Sequence, residues 1–171
     1  MRKNRYYQYY VEGETERKLI NILKTEFQTI YPGKVSVLNP VQEKITPLRI
    51  QGFKKNTIVV LVFDTDNDRN ITILEYNIQF LKSNKNIVEV LCIPQVNNLE
   101  DELLRSCNIS NVKELTGSKS NKEFKTDILR QSNMKDKLEA KNFSIDDFWS
   151  IEPSNGYKHI ANDAIKIKYP C

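Results

Sequence analysis

Two aspartates, Asp64 and Asp66, close the apolar run 58–63 (IVVLVF) in the stretch VVLVFDTDND, with Asp68 a little further on. Carboxylates this close repel one another, and a cation is their natural partner. Two other acidic groups stand out: Glu12, Glu14 and Glu16 in EGETE, and Glu100, Asp101 and Glu102 in NLEDEL. Hard oxygen donors without paired histidines or cysteines favour Mg²⁺ or Mn²⁺ over zinc. Ions of this kind activate water and stabilise charge on a phosphoryl group.

The elements that must position these carboxylates can be read from hydrophobic pattern. Residues 6–11 (YYQYYV), 34–38 (KVSVL), 57–63 (TIVVLVF) and 87–93 (IVEVLCI) have the β-branched and aromatic content of strands. The third has no polar alternation, which suits a strand buried on both faces of a parallel sheet. Between them, Leu19, Ile20, Leu23, Phe27, Ile30 and Tyr31 mark one helix, stopped by Pro32-Gly33. Thr46-Pro47 opens a short helix through Gln51, Ile71, Leu74, Ile78 and Leu81 mark another, and Asn98 caps one starting at Leu99. Pro94 is read as closing the fourth strand. The alternation predicts an α/β fold, a mainly parallel sheet flanked by helices. Ligand sites in such sheets lie past the carboxyl ends of the strands. Glu12, Asp64 and Glu100–Glu102 all follow strands, so they should converge on one edge.

After Cys107 the pattern weakens into a small helical C-terminal extension. Residues 115–121 read as a polar loop, 122–130, 134–140 and 144–149 as short helices, and the last fifteen residues as a helix or edge strand. We expect residues 1–110 to form the catalytic domain and 111–171 to pack on it.

Composition sets outer bounds. With 28% charged and 39% hydrophobic residues the chain belongs among soluble globular proteins, and a net charge of +4 permits a polyanionic partner without demanding one. The basic residues 1–5 are followed by no signal-peptide core, and no apolar run is long enough to span a membrane. Three cysteines, an odd number with no CxxC pair, argue against a disulfide framework and for a reducing cytoplasm.

Each acidic group also has an ordinary role. Glu14 and Glu16 could complement a helix dipole, Asp66 and Asp68 could form a turn, and Glu100–Glu102 could be a solvated helix start. The lone His159 is read as structural or surface, Trp149 as a core anchor, and the lysines at 119, 122 and 125 as either phosphate-tracking or a solvated face.

In the order and strand context of its motifs, the chain resembles the TOPRIM domain family. The marks are Glu12 in VEGETE after the first strand and Asp64-Thr65-Asp66 after a later one, and the resemblance spans residues 6 to about 107. The EGxTE form is similar to that of the OLD-family and RloB-like nucleases. The glycine that follows the DxD in many members is missing from Asn67-Asp68-Arg69-Asn70.

The resemblance implies a TOPRIM-like fold and Mg²⁺- or Mn²⁺-dependent hydrolysis of DNA or RNA phosphodiesters, in a setting such as phage defence. It implies Glu12 as metal ligand and general base, and Asp64 and Asp66 as metal ligands. Glu16 with Glu100 or Glu102 would complete a second metal site, and Lys119 in GSKS is the candidate catalytic lysine. OLD-like nucleases are often fused or paired with ATPases, and no Walker motif occurs here, so a separate ATPase subunit is an implied partner. Two other function classes stay open. One is a non-catalytic, Mg²⁺-dependent nucleic-acid- or nucleotide-binding subunit. The other is a receiver-like signalling domain that takes phosphate on an aspartate after strand three.

Overall fold

The computed structural model describes residues 4–66 and 71–170. Four strands, β1 (Tyr6–Val11), β2 (Gly33–Val37), β3 (Thr57–Asp64) and β4 (Ile87–Gln95), form one all-parallel sheet in the order β2-β1-β3-β4. The fold is therefore α/β and Rossmann-like. The helices are α1 (Glu14–Thr25), α2 (Pro47–Ile50), α3 (Thr72–Lys82), α4 (Leu99–Ser106), α5 (Lys113–Thr116), α6 (Asn121–Arg130) and α7 (Met134–Ala140), with short 3₁₀ turns at Asn155–Tyr157 and Ala164–Lys166.

The period-two geometry of strands divides the central sheet between two cores. Tyr9, Val11, Ile58, Val60, Val62, Leu91 and Ile93 face one, packed by α1, α4, α6 and α7. Tyr10, Val59, Leu61, Phe63 and Cys92 face the other, covered by α2, α3 and the segment carrying Tyr157 and Ile160. Burial on both faces is why β3 reads as an unbroken apolar run. Residues beyond 111 contribute Leu115, Phe124, Ile128, Leu138, Phe148 and Trp149 to the first of these cores.

Several details differ from the pattern reading. Helix α1 stops at Thr25, because the chain turns through Gln28 at φ 56°; Ile30 instead makes an antiparallel bridge to Lys168. Pro94 does not end β4 but lies within it, opposite Phe63. The strand is at the sheet edge, where a missing N–H on the outer side costs no ladder bond. On that same side the backbone of Cys92 points outward, its N–H donating to Asp163 Oδ2 (3.0 Å) and its carbonyl accepting the Asp163 N–H (2.8 Å). Residues 145–149 form a turn rather than a helix, with Trp149 at φ 60°.

The expected loop at 115–121 is partly helical: α5 ends in Gly117, whose left-handed φ of 74° closes the helix. Gly33 opens β2 where a side chain would collide with the Tyr7 carbonyl, so only glycine lets β2 approach β1 there. Among the described residues, no helix is long and apolar enough to cross a membrane.

Candidate functional site

The carboxyl ends of the four strands, or the first residues beyond them, deliver polar side chains to one edge of the sheet. Glu12 is the first residue past β1, and its Oε2 accepts the Asp64 N–H at 3.2 Å, which ties the end of β1 to the end of β3. Asn39, in the loop after β2, hydrogen-bonds Glu12 through its side chain. Its own Oδ1 is held by the N–H groups of Val41 and Gln42. Asp64 pairs in register with Gln95 at the end of β4, and Gln95 Nε2 donates to Asp64 Oδ1 at 2.7 Å. Gln95 is itself buried and accepts from Trp149 Nε1 at 3.4 Å.

The residue between the two aspartates fixes their loop. Thr65 donates its N–H to the carbonyls of Gln95 and Asn97, and its Oγ1 accepts the Asn97 N–H at 3.0 Å. Asp66 is exposed beyond this anchor. Asp68, the third aspartate of the motif, lies outside the described residues. Glu16, in the first turn of α1, folds its carboxylate back toward Gly13, where an added Cβ would stand 2.9 Å from Oε2. The absence of a side chain at Gly13 therefore makes room for Glu16.

Electrostatics identify these groups as one cluster. Burial, then the charge of Asp66, raises the Glu12 carboxyl above its ordinary range against the opposing Asp64 N–H, Lys125 and Asn39. Burial, then the charges of Glu12 and Glu100, does the same to Glu16. Asp64 is pushed up to about 8, by burial first and then by Glu12, Glu16 and Asp66, with Gln95 opposing. Among the described residues, negative charge is in excess at this edge.

Among the described residues, one cation answers it. Lys125 Nζ lies 3.1 Å from Glu100 Oε1. Its pKa is raised: burial would lower it, but the Glu100 hydrogen bond and the charges of Glu100, Glu16 and Asp64 outweigh that. Helix α6 is brought here by Phe124 and Ile128, which are buried in the same core as α1. Lys18 on α1 clamps the C-terminal end of α6, donating to the carbonyls of Leu129 and Gln131. Lys119, in contrast, is exposed on the turn ahead of α6 and donates its backbone N–H to Glu123.

The acidic run on α4 splits. Asn98 caps the helix by accepting the Asp101 N–H, and Glu100 points to Lys125. Glu102 is fully buried away from the cluster, accepting from Val96 N–H (2.9 Å) and Trp149 N–H (3.0 Å) and pairing with Arg105 (2.8 Å). Residues two apart on a helix point about 200° apart, so Glu100 and Glu102 could not serve one site. The sequence did carry the deciding signal, because Glu102 shares its face with the apolar Leu99 and Leu103.

Asn39, Gln95 and Lys125 are the members of the cluster that sequence reasoning missed or left undecided. Asn39 had a positional signal, following strand two as Glu12 follows strand one. Gln95 was hidden by the proline expected to end β4, and Lys125 by its acidic neighbours. The ordinary readings of His159 and Trp149 agree with their surroundings: His159 is on the surface against Glu75 (3.2 Å), and Trp149 is buried beside Phe148.

Among the described residues, no three His, Cys, Asp or Glu side chains already form a coordination group for a metal ion. The donor chemistry nevertheless fits a hard divalent cation. Glu12, Glu16, Asp64, Asp66 and Glu100 offer carboxylate oxygens whose mutual repulsion such an ion would relieve. Set against known protein families, curated proteins and solved structures, the chain matches none of them.

Proposed function

We propose that this protein is a TOPRIM-like, Mg²⁺- or Mn²⁺-dependent phosphodiesterase acting on DNA or RNA. The observation that carries the reading is the gathering of Glu12, Glu16, Asp64, Asp66 and Glu100 around one lysine at the carboxyl edge of a parallel sheet. Glu12, Asp64 and Asp66 would hold the ion, with Glu16 and Glu100 available for a second. When bound, such an ion supplies Lewis acidity toward a phosphoryl oxygen and toward water.

The chain's own groups do the rest. Glu12, whose carboxyl burial makes more basic, would accept a proton from water. Gln95 holds the Asp64 carboxylate in one orientation, and Thr65 holds the loop that carries Asp66. Lys125 brings positive charge to the edge where a phosphate would develop negative charge. It takes the role that the resemblance implied for Lys119. Glu102 is a buried strut under the site in this reading, not a ligand.

A receiver-like domain is the second reading. It is favoured by the strand order β2-β1-β3-β4, which follows the first four strands of the doubly wound 2-1-3-4-5 arrangement. One experiment separates the two. Supercoiled plasmid and structured RNA are incubated with the protein in Mg²⁺, Mn²⁺ or EDTA, beside Glu12→Ala. Metal-dependent cutting lost in the variant supports the nuclease. No cutting, together with phosphate uptake at Asp64 from a small phosphodonor, transfers the assignment to the receiver.

A further inference from the structure

The opposite end of the sheet carries a second feature. A cavity of about 520 Å³ opens at the amino ends of β1, β2 and β3, about 20 Å along the strands from the carboxylate cluster. Four cations line it: Arg5, Lys34, Arg49 and Lys54. Among the described residues no acidic side chain lines it, and none of the four forms an ion pair with a carboxylate. Four positive charges lining one concave wall focus potential on an anion.

The lining is also aromatic. Tyr6 is 38% exposed and carries Lys54 Nζ 4.8 Å from its ring centroid, and Phe53 is half-buried on the facing loop. The structure anchors these groups. Arg5 hydrogen-bonds Tyr7, Tyr7 stacks on Tyr31 with centroids 5.0 Å apart, and the Lys54 carbonyl accepts from Thr57 Oγ1 at 2.6 Å. A space of this size, with several cations at its wall and flat apolar surface beside them, suits a ligand that joins phosphates to an aromatic ring.

We propose that this cavity is a nucleotide-binding site, separate from the carboxylate cluster, in which Arg5, Lys34, Arg49 and Lys54 hold phosphates and Tyr6 and Phe53 contact the base. The nucleotide is either free or one unit of a single strand. Base contact by rings is sequence-tolerant in both cases.

The test is equilibrium binding of fluorescent ATP and of a labelled twelve-nucleotide oligo(dT) to the intact protein, in EDTA at about 50 mM salt, where metal-dependent binding is silent. The proposal expects at least one probe to bind. Lys34→Glu with Lys54→Glu should weaken it by more than tenfold, and Tyr6→Ala by about threefold or more. Both variants are exposed-surface changes, and an unchanged melting curve shows that they fold. Glu12→Gln should leave binding unaltered, which keeps this result independent of the proposed nuclease. Tighter binding of ATP identifies a free nucleotide; tighter binding of oligo(dT), falling steeply as salt rises to about 200 mM, identifies a strand. Binding of neither probe, an equal affinity for inorganic tripolyphosphate and ATP, or binding that survives the charge reversals overturns the proposal.

Discussion

Asp64→Asn should stabilise the metal-free protein at pH 8 and do nothing for it in acid. The carboxyl rises from its ordinary 3.8 to about 8 in the folded chain, because burial and the neighbouring carboxylates disfavour its charge. Below pH 3.8 the group is protonated both folded and unfolded, and folding is not penalised. Between 3.8 and 8 the folded state keeps a proton that the unfolded state has released, so stability falls steadily as pH rises through this window. Four decades correspond to about 6 kcal/mol at about 1.4 kcal/mol per decade. Asp64 retains partial exposure, so water screens much of the repulsion, and about 2 kcal/mol is the expected gain on removing the charge.

The substitution keeps the shape and leaves an oxygen for Gln95 Nε2 to donate to, so the packing around the site is preserved. For a chain of this length the gain is about 4–8 °C in Tm. Thermal unfolding in EDTA at pH 4.5 and pH 8 measures it directly. Adding Mg²⁺ at pH 8 should then raise the wild type more than the variant, since the ion binds the ionised site. A variant less stable than wild type at pH 8, or equally shifted at both pH values, would refute the reasoning.

Three further outcomes are expected. Lys125→Ala should lower the rate of any metal-dependent cleavage by about 10²-fold with little change in folding, whereas Lys119→Ala changes it less than about threefold; single-turnover assays decide between the lysines. Glu102→Gln places an amide against the Trp149 N–H and removes the Arg105 partner, which should cost about 3 kcal/mol in urea unfolding at pH 7. Burial pushes the thiols of Cys92 and Cys107 up to about 12 and about 11. Iodoacetamide at pH 8, followed by peptide mapping, should leave these two unlabelled until denaturant is added.

Much of the frame was legible because it rests on short-range physics. β3 is an apolar run because both of its faces are covered, and a run of that kind ending in Asp64 can be read without a structure. What could not be read is set by docking between distant segments. Nothing local to α6 says that Lys125, rather than Lys119 or Lys122, reaches the carboxylates. That depends on Phe124 and Ile128 entering the core beside α1 and on Lys18 gripping the helix end. The apolar spacing of helix α1 runs on past its end, because Ile30 and Tyr31 keep it after the backbone has turned at Gln28. Gln95 joined the site only because the edge strand tolerates Pro94 and continues past it.

The backbone pairing of Cys92 with Asp163 bears on how the chain is made. Translation delivers β4 long before the segment that covers its outer side, with about 70 residues between them. At about 5–20 residues per second, the β4 edge of the nascent sheet stays uncovered for about 4–14 s. During that interval the outward N–H and C=O groups of Cys92 can recruit a foreign strand. Chaperone dependence during synthesis should thus centre on residues 87–95 and end once the segment around Asp163 has been made.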